Sequence, residues 1–325
     1  MTDRPKILAT APLRGAGLEA LQQLGDVIVD PWIDHQPLRL YNSEALAERA
    51  KAEGATVLIC EADSCKGPVF DLPLIAIGST RGDPTNVDVA GATAAGIPVL
   101  RAPGRNADAV AEMTIALLFA VNRHLRQADI DVREGQTYRD GSIPYQRFRA
   151  WQLAGCTAGL IGLGAVGRAT KWRLEGLGMK VIAADPFAKD ATHSVDDLVA
   201  EADVVSMHAA VTPDSLGLMS ADRFANMKQG AIYVNSARAG LHDLDGLVAA
   251  LESGRLAGAG IDHFEGENIA VDHPLLALPN VVVAPHIGGA TYDTETNHTT
   301  LMADGLAALL RGERPANIVN PEVLS

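Results

Sequence analysis

"GLIGLGAVGR", residues 159–168, sets three glycines in the pattern Gly162-x-Gly164-x-x-Gly167, between an apolar run and "RATKWRLEGLG", whose spacing predicts a helix. The glycine spacing alone is a weak signal. Between a strand and a helix it acquires a physical reading: a tight turn, close backbone approach to a pyrophosphate, and a helix N-terminus facing the negative charge. The next apolar run, "KVIAAD", ends in Asp185, 185 − 167 = 18 residues past the last glycine. A carboxylate there accepts hydrogen bonds from an adenosine ribose and repels a 2′-phosphate, which predicts NAD rather than NADP as cofactor. The plain alternative is a glycine-rich turn followed by a surface aspartate.

Outward from this motif the strand and helix signals alternate. Upstream, "KILAT", "DVIVD", "ATVLIC" and "LPLIAIGS" predict strands, the last two being continuous apolar runs of the kind parallel strands show when buried on both faces. "GAGLEALQQLG" and "SEALAERAKAEG" predict helices, the second with Ser43 as N-cap and Gly54 just past its end. Residues 107–135 form one long helical pattern with no strand inside it, which marks a boundary between two units. Downstream, "TAGLIGLG", "KVIAADP", "ADVVSMH", "AIYVNSA", "AGAGIDH" and "NVVVAP" predict six strands, and a further long helix covers roughly 291–312. The fold class is therefore α/β, with two doubly wound units.

Composition bounds the function. The 325 residues include 27 Lys and Arg against 40 Asp and Glu, a formal charge of −13 with no basic run, so neither nucleic acid nor an anionic membrane is an expected partner. An anionic substrate would need a few local arginines to hold it against that field. Cys60, Cys65 and Cys156 form no paired motif, which argues against a disulfide framework or a zinc site and for a reducing compartment. The opening residues lack the apolar core of a signal peptide, and no apolar stretch reaches membrane-spanning length. The expected location is the cytoplasm, and no metal is expected.

Three ionisable residues stand just past strand ends in the second unit: Arg238 after "AIYVNSA", Glu267 after "GAGIDH", and His286 after "NVVVAP". Ligands of open α/β sheets bind at those ends. An arginine fork suits a substrate carboxylate, a histidine can protonate a carbonyl near neutral pH, and a nearby carboxylate would orient it. Taken singly, the three also read as a surface cation, a solvated loop acid and a satisfied loop histidine.

Together these blocks resemble the D-isomer-specific 2-hydroxyacid dehydrogenases, a group that includes short forms of D-3-phosphoglycerate dehydrogenase. The likeness runs nearly end to end through "NVDVAGATAAGIPVLRAPGRNADAVAE", "GLIGLGAVGR", "SMHAAVTP", "VNSARAG", "GIDHFEGE" and "PNVVVAPHIGGAT". The resemblance implies hydride transfer between NAD and C2 of a D-2-hydroxy acid or 2-oxo acid. It implies an acid–base role for His286, its carboxylate partner at Glu267, and a substrate-binding Arg238. Cofactor contacts are implied at Gly162, Gly164, Ala165, Val166, Gly167, Asp185, Ala209, Ser236, Ala237, Asp262, Gly288 and Gly289. The architecture implied is an NAD-binding Rossmann domain, 107–289, inserted into a flavodoxin-like substrate domain made of 1–106 and 290–325, with the cleft between them. It also implies a homodimer built through the NAD-binding domain, and an end at Ser325 too early for an added C-terminal regulatory domain.

The sequence departs from the family in three places. His263 and Asn268 stand where many relatives have Val and Pro, flanking Glu267. In "STRGDPTNVD", Arg81 and Asp83 stand where relatives often have glycines, with Gly82 between them, and Arg105 occupies another position where glycine is frequent. Arg81, Gly82 and Arg105 join Arg238 as candidate substrate contacts and predict a longer acid, polyhydroxy or phosphorylated. Arg81 could instead pair with Asp83 or Asp88 and only brace the loop. A regulatory protein that senses NAD on the same fold, like the corepressors that resemble this family, is the alternative function. A formate- or phosphite-type enzyme fits the charged loop less well.

Overall fold

The computed structural model describes residues 4–324, so the leader reading at residues 1–3 and the chain end at Ser325 fall outside the described residues. The chain divides into two compact units, Met1–Asn106 with Thr291–Ser325, and Ala107–Ala290. Among the described residues no helix is long and apolar enough to cross a membrane.

The first unit holds five parallel strands, β1 (Lys6–Ala9), β2 (Asp26–Val29), β3 (Val57–Cys60), β4 (Ala76–Ser79) and β5 (Val99–Leu100), in the order β2-β1-β3-β4-β5. This is the flavodoxin-like order. Both β3 and β4 are buried along their whole length, as their unbroken apolar runs predict. One face packs Leu8, Leu46, Leu58 and Ile77, and the other packs Ile7, Leu21, Ile59, Met302 and Leu306. The helix cap at Ser43 needs correction. Asn42 is the N-cap, its Oδ1 accepting from the Ala45 nitrogen at 2.9 Å, while the Ser43 hydroxyl meets that of Ser64 at 3.1 Å. Either side chain can cap, and the one placed a residue earlier does so.

The second unit holds six parallel strands, β6 (Thr157–Ile161), β7 (Lys180–Ala184), β8 (Val204–Met207), β9 (Ala231–Asn235), β10 (Leu256–Ile261) and β11 (Val281–Val283), in the order β11-β10-β9-β8-β6-β7. After β7 the chain recrosses to the far side of β6, so the strand order reverses between β6 and β8. Open α/β sheets bind ligands at such a reversal. The single long helix predicted over 107–135 is two helices, Ala107–Asn122 and Leu125–Arg133, broken where His124 adopts φ 52°. Past the break, Arg126 donates to the carbonyls of Leu278 at 3.1 Å and Val281 at 3.4 Å. No glycine or proline marks the break, so periodicity runs through it unseen.

Helix Ala107–Asn122 lies close against β10 because that strand carries glycines. A Cβ at Gly258 would come within 2.5 Å of the Asn280 carbonyl oxygen and 2.6 Å of Val121 Cγ1; one at Gly260 would lie 2.9 Å from Leu117 Cβ. Gly258→Ala should therefore destabilise the protein by about 1–3 kcal/mol, the usual penalty of overpacking. Gly176→Ala, at a helical site with no heavy atom within 4 Å of the added Cβ, should be neutral or stabilising. Equal thermal melting temperatures for the two variants would contradict this packing.

Candidate active site

The glycine loop that follows β6 divides its labour among three residues. A Cβ at Gly162, where φ is 99°, would sit 2.6 Å from the Ala209 nitrogen, and one at Gly167 would sit 2.1 Å from the Gly162 carbonyl oxygen. Those two glycines permit packing. A Cβ at Gly164 would meet nothing within 4 Å, so this position keeps the backbone bare toward open space. Helix Ala165–Gly176 then starts with no side chain capping its first turn, which begins at Ala165 and Val166. Asp185, one residue past β7, ties in through its carboxylate. One oxygen accepts from the Leu163 nitrogen at 2.7 Å, and the other from those of Phe187 at 2.8 Å and Ala188 at 3.0 Å. Partial burial opposes ionisation, yet these three N–H donors hold the carboxyl below its ordinary range. A bare loop, an uncapped helix start and an ionised aspartate together fit a dinucleotide.

His286 is placed by Asp262, which is 1% exposed at the end of β10. Its carboxylate accepts from the nitrogens of Ile287 at 2.9 Å and Gly288 at 2.7 Å. A Cβ at Gly288 would lie 2.8 Å from that carboxylate, so the first glycine of the turn is there for close approach. The clamp leaves His286 at φ 56°, and Glu267 sits at φ 60°. Left-handed backbone at two non-glycine residues is strain held by the surrounding structure. The side chains meet: His286 Nδ1 lies 2.9 Å from Glu267 Oε1 and 3.0 Å from Oε2. Burial works against ionisation of Glu267, but the hydrogen bond and charge of His286, and further on the charge of Arg238, hold its carboxyl below the usual range.

Arg238 follows β9 in a turn built by Asn235, which is fully buried. The Asn235 amide donates to the Arg238 carbonyl at 3.0 Å and its oxygen accepts from the Ala237 nitrogen at 2.9 Å. The guanidinium donates to the Ala237 carbonyl at 2.6 Å, and the residue is exposed. Ser236 is buried, with its hydroxyl 2.7 Å from that of Thr114. Arg238, Glu267 and His286 thus share one sheet edge, as do Ala209, Ala237 and the turn of Gly288 and Gly289. Two neighbours escaped the sequence reading. Asn235 carried no signal beyond ending a strand. His263 stood out only as a departure, and its ring centroid lies 4.3 Å from that of His286.

In the first unit, the Arg81 backbone is fixed by the Ala102 nitrogen donating to its carbonyl at 2.8 Å. Its guanidinium makes no ion pair with Asp83 or Asp88 among the described residues; Asp88 instead caps helix Val89–Ala94 through the Gly91 nitrogen at 3.0 Å. Gly82 lies in the same turn. Arg105, expected as a further cation for substrate, has partners within the first unit. Its guanidinium is 16% exposed, pairs with Glu61 and lies 2.8 Å from His298 Nδ1. His298 in turn reaches the Pro12 carbonyl at 2.6 Å. A charge neutralised by a half-buried carboxylate braces the fold.

Residues 115–288 match the profile of the family described as D-isomer specific 2-hydroxyacid dehydrogenase, NAD binding domain. A glyoxylate reductase of Thermofilum pendens is 35% identical over 99% of this chain and 96% of its own length. A D-3-phosphoglycerate dehydrogenase of Methanocaldococcus jannaschii is 32% identical over 97% of this chain but only 59% of its own. The crystal structure of the TT0316 protein from Thermus thermophilus superposes with a TM-score of 0.81 at 34% identity, covering 97% of this chain and 99% of that one. With the profile spanning more than half of the sequence and relatives aligned from end to end, the chain belongs to the D-isomer-specific 2-hydroxyacid dehydrogenase family and is an NAD-dependent oxidoreductase.

Proposed function

We propose that the protein interconverts a D-2-hydroxy acid and its 2-oxo acid, with His286 as acid–base and Arg238 holding the substrate carboxylate. The observation that carries this reading is the bond of His286 Nδ1 to both oxygens of Glu267. With Nδ1 committed, Nε2 is the ring nitrogen left to move a proton. Bound NAD supplies the hydride-accepting or hydride-donating nicotinamide. In the reductive direction His286 gives its Nε2 proton to the carbonyl oxygen, and Glu267 stabilises the imidazolium before that transfer. The Arg238 fork binds the carboxylate beside the reacting carbon. The nucleotide contacts proposed are the glycine loop, Asp185, Ala209, Ser236, Ala237, Asp262 and the Gly288–Gly289 turn.

The substrate reading follows from Arg81. Its guanidinium is engaged in no ion pair among the described residues, which supports Arg81 as a cation for a polyhydroxy or phosphorylated acid. Glyoxylate, named for the Thermofilum pendens relative among others, carries neither further hydroxyls nor a phosphate.

Unit Ala107–Ala290 also supports a homodimer. Tyr138, Tyr145 and Trp151 are 73%, 82% and 87% exposed on a segment anchored by Asp131, which accepts from Arg139 at 3.1 Å and Arg147 at 2.8 Å. Beside them Phe119, Phe148 and Leu153 line a groove of about 680 Å³. Such aromatic patches mark interaction surfaces. The reading places the enzyme in the cytoplasm, where the free thiols of Cys60, Cys65 and Cys156 stay reduced. Recovery from a secreted or membrane fraction would overturn that location.

His286→Ala should lower kcat by about 10²–10⁴-fold while NADH still binds, and Glu267→Gln should move the imidazole limb of the pH–rate profile to lower pH, because the imidazolium loses its anion. A full-rate alanine variant would remove His286 from the mechanism. Arg81→Ala should raise KM for a long sugar acid far more than for glyoxylate; equal weakening of both, or glyoxylate as best substrate, would end the long-substrate reading. Light scattering should give a dimer that Trp151→Ala with Tyr145→Ser converts to monomer. A monomeric wild type would refute the interface.

A further inference from the structure

His263 is 12% exposed in its side chain and touches both halves of the proposed chemistry. Its Nδ1 receives the Ala239 backbone N–H at 3.4 Å, directly after Arg238, and its Nε2 lies 3.5 Å from Glu267 Oε1. A backbone N–H can only donate, so Nδ1 must offer its lone pair, and the ring proton sits on Nε2, the nitrogen 3.5 Å from Glu267 Oε1. Glu267 therefore serves two imidazoles: His286 at 2.9 Å and, more weakly, His263.

We propose that His263 is a positioning residue that joins the Arg238 turn to the Glu267–His286 pair and divides the hold of Glu267 between two rings. The proposal rests on the acid–base reading of His286 above. His263 itself stays neutral. Protonating Nδ1 would break its bond to Ala239 and set a second cation against His286, whose ring centroid is 4.3 Å away. The other charged or titratable groups facing it are Glu267 and Asp262, which favour its protonation, Arg238, which opposes it, and buried His242. Burial first, and then the charge of His286, push the His263 pKa down. The nitrogen and oxygen donors of His263, Glu267 and His286 lie within 4.8 Å of one another. A divalent cation on Nε2 would, however, force the ring proton onto Nδ1, against the Ala239 N–H.

Two near-isosteres separate the links. His263→Asn keeps an acceptor near the Nδ1 position and loses the donor to Glu267; His263→Gln keeps a donor near the Nε2 position and loses the acceptor for Ala239. Two measurements follow each variant: the pH dependence of kcat/KM with NADH and a 2-oxo acid, and NMR titration of the His286 ring in the protein without cofactor. Asn should move the His286 midpoint up by about half a pH unit in both, because Glu267 then serves His286 alone, with KM little changed. Gln should leave the midpoint in place and raise KM by about 3–10-fold, the weight of one hydrogen bond holding the Arg238 turn. The inference fails if the two variants behave alike, or if Asn leaves the midpoint unmoved and Gln leaves KM unmoved. A wild type that turns over no 2-oxo acid would refute the functional reading, and the NMR titration alone would still decide the coupling.

Discussion

The buried carboxylate of Asp262 accepts two successive backbone N–H groups, from Ile287 and Gly288, and so bends the chain just past β11. Left-handed backbone at a non-glycine residue costs about 1–3 kcal/mol. Two hydrogen bonds to a carboxylate contribute about 1.5–3 kcal/mol each, enough to hold His286 there. The bend turns the imidazole onto Glu267, itself left-handed, and both residues stand at the strand ends of one sheet. The strained conformation of His286 follows from the clamp. Without it the apolar strand would end in an ordinary loop.

The rest of the second unit is arranged around that point. β6 and β8 flank the reversal of strand order, and the glycine loop and Ala209 touch there because Gly162 has no side chain. The Asp185 carboxylate accepts from the Leu163 nitrogen in the same loop, so the loop's shape and the proposed nucleotide contact rest on one side chain. Asn235 does for the Arg238 turn what Asp262 does for the His286 turn: a buried polar side chain fixes a short segment beyond a strand. Both devices put the proposed chemistry on a rigid edge, where small displacements of a proton donor matter most.

Strands β6 to β11 and the three residues after them were legible because apolar runs, glycine turns and ionisable residues lie next to one another in sequence. What was illegible depends on distant partners or on geometry without a residue signature. Arg105 reads as a free cation until Glu61 and His298, the latter 193 positions away, close on it. The break at His124 has neither glycine nor proline, and the two-residue β5 is too short to show a period. His263 was visible as an unusual residue, while its bond to Ala239, 24 positions earlier, was not.

In the proposed mechanism Glu267 fixes the proton of neutral His286 on Nδ1, leaving Nε2 to exchange a proton with substrate. Nitrogen-15 NMR of the ring above its titration midpoint tests this most directly. A protonated Nδ1 and a bare Nε2 are expected, with the pattern lost in Glu267→Gln. A neutral ring carrying its proton on Nε2 in the wild type would contradict it.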